Sequence, residues 1–262
     1  MIPNIPNIKF KDAPFFLIVG PCVVEDRDTT YEVAQYLNDI RHEFELPVIF
    51  KASYRKDNRT QGSAFQGIGD NIALETLEAI GRDFEIPITT DFHTPYEIER
   101  YFPIVDVIQI PAFLSRQTSM LEAAGKTGKW VNIKKGQFMS VDDAMFAAEK
   151  VLIASSTEDV MITERGTTFG YNDLVVDLRN IITLKSVDYM TVLDITHSLG
   201  KEDGSVEMML GIAKAALAVG VDGIFIEVHL CPNKAKSDGK RMLKLNRLEW
   251  FLNELSAWKS EK

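Results

Sequence analysis

Short apolar runs alternate along the chain with longer stretches in which apolar residues recur every three or four positions. The short runs predict eight β-strands, at residues 15–20, 47–53, 87–93, 105–111, 130–136, 159–166, 190–198 and 223–230. The longer stretches, such as TTYEVAQYLNDIRHEF, predict helices that pack on one side. Strands that alternate with helices in this way are typical of a parallel sheet.

Eight strand–helix units in 262 residues predict a (β/α)8 TIM barrel of the α/β class. A doubly wound open sheet is the alternative, but no glycine-rich dinucleotide turn follows the first strand. Residues 1–13 lie outside the repeat, and we expect them to form an N-terminal extension that caps the bottom of the barrel. The whole chain, residues 1–262, is then one domain.

Two adjacent lysines end the fifth predicted strand, WVNIKKG. Neighbouring side chains of a strand point to opposite faces. Val131 and Ile133 share a face that should pack against helices. We therefore expect Lys134 to point into the mouth of the barrel, and Lys135 to point outward or into the next loop.

Basic residues gather where the predicted strands end. In a barrel, functional groups come from the C-terminal ends of the strands. Six cations lie at or just after such ends: Lys51, Lys56, Arg59, Arg116, Lys134 and Arg165. Any one of them alone is equally well explained as a solvated surface charge. Together they predict a site for anions, with enough positive charge for two phosphates, because clustered like charges need a counter-ion.

A second group of strand-end residues has the chemistry of a metal site. It contains a thiol, an imidazole and two carboxylates: Cys22, His197, Glu227 and Asp238. The first, seventh and eighth strands, which supply three of them, are neighbours in a closed barrel. Such a mixed set suits Zn, Fe, Mn or Co. A buried structural cysteine and a hydrogen-bonded core histidine remain the alternatives, and His93 and His229 are competing ligands.

The composition of the chain argues against several classes of binding partner and cellular location. The net charge of −9 argues against nucleic acid and against an anionic membrane surface. No run approaches the ~20 apolar residues of a membrane-spanning helix. The first residues lack the pattern of a signal peptide, and two cysteines do not suggest a disulfide framework. We therefore expect a cytoplasmic protein that binds no membrane.

Long motifs in the chain carry a resemblance to one family. They include GPCVVE, TTDFH, DVIQIPAFLSRQT, KTGKWVNIKKGQF, TERGTTFGYNDLVVD, DITHS and GIFIEVHLCPNKAKSDG. The sequence resembles the 3-deoxy-D-manno-octulosonate 8-phosphate synthases over nearly its whole length. The resemblance implies a (β/α)8 barrel, usually a homotetramer. It also implies condensation of phosphoenolpyruvate with arabinose 5-phosphate, with release of phosphate, for the lipopolysaccharide inner core.

The resemblance also implies roles for individual residues. Those that hold phosphoenolpyruvate would be Lys51, Ser53, Gln109, Ala112 through its backbone, Lys134 and Arg165. Lys56 and Asn58 would lie between the substrates. Arg59, Thr60 and Arg116 would bind the arabinose phosphate, partly from a neighbouring subunit. Cysteine at position 22 is similar to the metal-dependent members of the family, which implies Cys22, His197, Glu227 and Asp238 as ligands.

Three departures from the family pattern bear on the sugar half of the site. RKDNRT replaces the usual Asp-Lys-Ala-Asn-Arg-Ser, Gln66 replaces an arginine of many members, and the loop SLGKEDGSVEMML is short. One alternative function is the related condensation with erythrose 4-phosphate, as in 3-deoxy-D-arabino-heptulosonate 7-phosphate synthase. The other is a barrel that binds a sugar phosphate without catalysis.

Overall fold

The chain folds into a closed parallel barrel. The structure is a computed structural model that describes residues 1–59, 61–171, 173–200 and 205–260. Within these ranges the strands are β1 (Phe16–Gly20), β2 (Val48–Lys51), β3 (Ile88–Asp91), β4 (Val107–Ile110), β5 (Trp130–Lys134), β6 (Val160–Glu164), β7 (Thr167–Phe169), β8 (Asp173–Val175), β9 (Met190–Asp194), β10 (Gly223–His229) and β11 (Leu243–Lys244). Eight parallel strands, β1 to β6, β9 and β10, form the barrel.

Pairing between the first and last barrel strands closes the sheet. β1 and β10 are parallel neighbours, from Phe16 opposite Gly223 to Gly20 opposite Glu227. An open sheet would leave these two strands unpaired. The predicted eight strands and the predicted barrel are therefore confirmed, and the doubly wound alternative is wrong.

Helices surround the barrel, and side chains cap the first turns of several of them. They are α1 (Arg27–Glu43), α2 (Asp70–Phe84), α3 (Pro95–Tyr101), α4 (Thr118–Lys126), α5 (Val141–Ala154), α6 (Arg179–Lys185), α7 (Val206–Ala218) and α8 (Leu248–Ser260). Thr94 and Ser140 begin α3 and α5 with capping boxes. Asp26 and Ser205 accept hydrogen bonds from the first turns of α1 and α7. Within the described ranges, no helix combines the length and apolar character needed to cross a membrane.

The alternation of each strand divides the apolar residues between two layers. Val48 and Phe50 of β2, like Val131 and Ile133 of β5, pack in the layer between the sheet and the helices. Ile49 points the other way and joins a smaller cluster inside the barrel, with Phe16, Ile18, Val107, Met161, Met190, Val192 and Phe225. This inner cluster fills the lower part of the barrel and leaves the upper part to polar side chains.

The N-terminal segment lies against the inner cluster. Ile5 and Ile8 are buried in it, beside Phe16. The Trp130 indole N–H donates to the backbone oxygen of Asn4 over 3.2 Å. We propose from these contacts that residues 1–13 cap the bottom of the barrel and belong to the same domain.

Two small elements at the upper end were not predicted from the sequence. β7 and β8 form an antiparallel hairpin directly after β6. β11 continues the sheet beside the end of β10, with Leu243 opposite Val228. With only three and two residues per strand, these elements lack the length that makes a period-two pattern visible.

Candidate active site

A cavity of about 880 Å³ opens at the C-terminal ends of the barrel strands. The Phe225 ring lines it, together with five of the six predicted cations: Lys51, Lys56, Arg59, Lys134 and Arg165. The sixth, Arg116, is exposed and does not line the cavity of its own chain, contrary to the expectation that all six converge there. Arg116 lies beyond the turn that follows β4, where the chain already leaves the mouth.

Lys134 points into the cavity, as its place in β5 predicts. Its ammonium contacts the Asp194 carboxylate and lies 3.4 Å from the centroid of the Phe225 ring. Burial lowers the pKa of Lys134 to about 8, in spite of the opposing attraction of Asp194. This lysine therefore loses its charge at a lower pH than an ordinary lysine does.

Lys135 lies on the opposite face and is fully buried. Of the two directions expected for it, outward or into the next loop, it takes the second. Its Nζ donates to Thr167 Oγ1 over 3.1 Å and to Met139 O over 3.3 Å, and it lies 3.4 Å from Glu164 Oε1. The loops after β5 and β6 and the β7–β8 hairpin enclose this ion pair, so the outer face of the strand end is not open to solvent.

Lys51 is held by three buried groups. Its Nζ donates to Glu227 Oε1 over 2.9 Å, to Cys22 O over 3.1 Å and to Ser53 Oγ over 3.2 Å. Ser53 is buried beneath the cavity and touches Lys51 instead of lining the wall. Gly20 permits the close approach of β1 and β2 here, because a Cβ at this position would overlap the backbone of Lys51.

The remaining predicted substrate residues lie along the rim. Gln109, Ala112, Lys56 and Asn58 line the cavity. Burial works against the Lys56 ammonium, but negative groups that include Asp91 outweigh it and raise the pKa of Lys56. Gln66 lies outside the lining, and its backbone oxygen accepts from Lys56 N over 2.7 Å.

The loop after β10 meets the loop after β2 at the rim. Arg59 Nη1 donates to Ser237 Oγ over 2.9 Å and lies 3.9 Å from Asp238 Oδ2. Thr60, which was predicted beside Arg59, lies outside the described residues, as do residues 201–204 of the short loop after His197.

Three of the four predicted metal ligands come together. Cys22, Glu227 and Asp238 each offer one ligand atom within 4.8 Å of the others. Cys22 Sγ lies 3.3 Å from Asp238 Oδ2. The donor set suits a borderline divalent ion, and Glu227 Oε2 is buried with no hydrogen-bond partner among the described residues. A buried, unpartnered carboxylate oxygen is costly, so these residues fit a bound cation.

His197 stands beside this group and is not part of it. Its Nδ1 lies 2.8 Å from Asp194 Oδ2, and its Nε2 lies 3.8 Å from Glu227 Oε2. A carboxylate on one ring nitrogen that orients the other is the usual support of a metal-binding histidine. The ring is therefore oriented for ligation.

Burial and neighbouring charges shift the pKa values of two residues of this group. Burial raises the pKa of the Cys22 thiol to about 12. Burial also works against the Glu227 carboxylate, but Lys51 outweighs it and lowers the pKa of Glu227 to about 2. Lys51 thus compensates the charge of the buried Glu227 carboxylate.

The two competing histidines lie elsewhere. His93 Nε2 is 3.4 Å from Asp91 Oδ2, on another part of the cavity wall. His229 Nε2 is 3.5 Å from Glu25 Oε2, beneath the loop that carries Asp238. Among the described residues, neither joins the Cys22 group.

Sequence reasoning missed several residues of the site, and Phe225 is one of them. Asp91, Gln137 and Arg241 line the cavity, and Asp194 orients His197 and contacts Lys134. Asp91 and Asp194 end β3 and β9, so their positions at the C-terminal ends of strands were the signal available. Arg241 lies in the loop after β10, and the alternation of apolar and polar residues in the strands does not predict where a side chain of this loop points.

Comparisons with known proteins identify the family of the chain. The model of the DAHP synthetase I family matches residues 5–261. A 2-dehydro-3-deoxyphosphooctonate aldolase of Pisum sativum is 44% identical over 256 residues, covering 93% of this chain and 88% of the relative. Proteins of the same name from Geotalea uraniireducens (strain Rf4) and Rickettsia felis (strain ATCC VR-1525 / URRWXCal2) are each 40% identical. They cover 97% and 98% of this chain and 96% of each relative.

Proposed function

This chain belongs to the DAHP synthetase I family, and from that premise we propose that it is a 3-deoxy-8-phosphooctulonate synthase. It joins phosphoenolpyruvate to D-arabinose 5-phosphate with addition of water, and it releases 3-deoxy-D-manno-octulosonate 8-phosphate and phosphate. The single observation that carries the proposal is that five cations, at or after the ends of barrel strands, line one cavity beside the Cys22, Glu227 and Asp238 group. Such a cavity suits two phosphorylated substrates.

The positions of the side chains support a division of the cavity between the substrates. Lys51, Lys134, Arg165 and Gln109 hold phosphoenolpyruvate, helped by the backbone of Ala112. Ser53 acts through Lys51, whose Nζ it contacts. We assign Lys56 and Asn58, which line the same cavity, to the space between the two substrates.

The phosphate of the sugar belongs to the other half. Arg59 binds it from this chain, with Thr60, and Arg116 binds it in the cavity of a neighbouring subunit. The exposure of Arg116 on its own chain agrees with this role. We propose a homotetramer in the cytoplasm, and light scattering of the purified protein tests the assembly.

The reaction requires a new bond from C3 of phosphoenolpyruvate to the aldehyde carbon of the sugar. Water adds at C2, and phosphate leaves with its bridging oxygen. The side chains bind both anions, bring the two carbons together and shield the charge of the phosphates. The Asp194 carboxylate holds His197 and Lys134 in place throughout.

Cys22, His197, Glu227 and Asp238 would hold a divalent ion, of which Zn, Fe, Mn and Co suit the donors. When bound, such an ion supplies Lewis-acid polarisation of the aldehyde or orientation of the water.

The matched family is named after DAHP synthetase, the enzyme of the alternative reaction with erythrose 4-phosphate, so this alternative is tested directly. Purified protein with phosphoenolpyruvate should release phosphate and form product with arabinose 5-phosphate, and much more slowly with erythrose 4-phosphate. A preference for erythrose 4-phosphate would replace the proposal by its alternative. No release with any aldose would favour a barrel that only binds.

Metal dependence is tested on the same assay. Chelation should abolish turnover, and added Mn, Co, Fe or Zn should restore part of it. Cys22→Asn places here the residue of metal-independent relatives, so some chelator-resistant activity is expected, whereas His197→Ala and Glu227→Ala should be inactive. Full wild-type activity without bound metal, by elemental analysis, would refute all four ligands.

A further inference from the structure

Arg241 is fixed at the mouth of the barrel by the backbone on both sides of it. It ends a short 3-10 turn, Gly239–Arg241, and its N–H donates to Asp238 O over 3.0 Å. Two residues later, Leu243 of β11 pairs with Val228 of β10. The backbone before and after Arg241 is thus tied to the rim, and the side chain lines the same cavity as Arg165.

Arg165 lacks a full set of partners. It is only 8% exposed, and its Nη1 is buried with no hydrogen-bond partner among the described residues. The nearby carboxylates have other partners. Glu164 accepts from backbone N–H groups and from Asn180, and Asp194 contacts Lys134 and His197. A buried guanidinium nitrogen without an acceptor indicates that a ligand supplies one.

Arg241 adds to the positive charge at this point. Burial lowers the pKa of Arg165, Asp194 opposes that shift, and Arg241 lowers the pKa further, so the two guanidinium groups repel each other. No described residue accepts a hydrogen bond from the Arg241 guanidinium. Two arginines that face one cavity with unused donors match an anion placed between them.

We propose that Arg241 is a substrate-binding residue that forms, with Arg165, a clamp on the phosphate of phosphoenolpyruvate. The clamp rests on the proposed function, which gives Arg165 to this substrate. A phosphate dianion offers three oxygens and about two charges, so it can accept from both guanidinium groups at once. A carboxylate has one charge and would leave one arginine uncompensated. Lys134, which also repels Arg165, completes the positive side of the clamp.

Direct binding tests the clamp without turnover. Isothermal titration of the wild-type protein with phosphoenolpyruvate, and separately with inorganic phosphate, gives the reference affinities. Arg241→Ala should weaken both by about 10- to 100-fold, the value of a hydrogen-bonded charge. Arg241→Lys keeps the charge but loses the two parallel donors of the guanidinium group. Its affinities should therefore lie between those of the wild type and those of Arg241→Ala. Lys244→Ala, an exposed charge on β11 outside the cavity lining, should bind as the wild type does.

Steady-state kinetics separate the clamp from a structural role. Arg241→Ala should raise KM for phosphoenolpyruvate, leave KM for arabinose 5-phosphate unchanged and keep the wild-type melting temperature. Unchanged phosphate affinity, or an effect on the sugar phosphate alone, would overturn the proposal. If Arg241 governs phosphoenolpyruvate binding but no aldose gives product, the clamp stands and the proposed function fails.

Discussion

At the scale of single residues, the adjacent lysines Lys134 and Lys135 have different surroundings because their side chains lie on opposite faces of β5. Lys134 enters a cavity and meets Asp194, whereas Lys135 enters a buried space behind the sheet and meets Glu164. Both are charged side chains removed from water, so each depends on its partner. The difference is that only Lys134 faces the space where substrates are proposed to bind.

The charge state of Lys134 predicts a pH profile. With a pKa of about 8, its ammonium is present at lower pH and is lost as the pH rises. Binding of an anion requires the charged form, so kcat/KM for phosphoenolpyruvate should fall as the pH rises through about 8. Lys134→Arg keeps its charge and should move this fall to higher pH. A profile that does not change in the variant would contradict the assignment of the fall to Lys134.

The burial of Lys135 predicts an effect on stability first. Lys135→Met leaves the Glu164 carboxylate buried without its ammonium, which should cost about 3–5 kcal/mol of unfolding free energy. Urea unfolding measures this, and the double variant Lys135→Met/Glu164→Gln should recover part of the loss. Lys134→Ala should instead lower kcat/KM by about 30- to 1000-fold. If folded Lys135→Met loses more of its kcat/KM than Lys134→Ala does, the Lys135–Glu164 pair affects the reaction more than Lys134, and the prediction is wrong.

At the scale of elements, the barrel strands supply half of the site and the loops supply the rest. Lys51, Lys134 and Glu227 lie on strands, where the ladder fixes them. Asp238 lies on the loop after β10, which is held from below. Glu25 Oε1 accepts from Lys236 N over 2.6 Å, so one carboxylate positions the loop that carries the proposed metal ligand Asp238.

Removal of this anchor should weaken metal binding. Glu25→Ala frees the segment around Lys236, so Asp238 is no longer held near Cys22, and we expect about a 10-fold loss of zinc affinity. Titration with a competing chelator measures it in the purified protein. Glu32→Ala, an exposed carboxylate on α1, is the matched control. Equal zinc affinity in Glu25→Ala and Glu32→Ala would show that the loop keeps its position without the anchor.

At the scale of the whole molecule, the two ends of the barrel differ in composition and in their expected role. The upper end carries the cavity and its charges, and the lower end is filled by apolar side chains that include Ile5 and Ile8. Changes at the lower end should therefore alter stability and leave the chemistry intact.

A substitution in the N-terminal segment tests this separation. Ile5→Ala removes a side chain that is 3% exposed, which should lower the free energy of unfolding by about 2–5 kcal/mol. Chemical unfolding measures the loss, and kcat/KM below the transition should stay at the wild-type value. Asp12→Ala, an exposed position in the same segment, should change neither quantity. Unaltered stability in Ile5→Ala would refute the proposed cap.

The sequence by itself determined the barrel, because strand alternation and helix periodicity are local patterns that do not depend on distant contacts. For the same reason it placed Lys51 and Lys134 inside, with Val48, Phe50, Val131 and Ile133 outside. It also brought Cys22 and Glu227 together, because closure of an eight-stranded barrel makes β1 and β10 neighbours.

Only the tertiary structure decided what lies beyond the strand ends. Lys135 is buried because a hairpin and two loops fold over it, and Arg116 leaves the cavity because the chain turns away after β4. Arg241 enters the cavity because the two-residue strand β11 returns the chain to the rim. Loop side chains take their direction from contacts with residues far along the chain, and no local pattern of apolar and polar residues encodes those contacts.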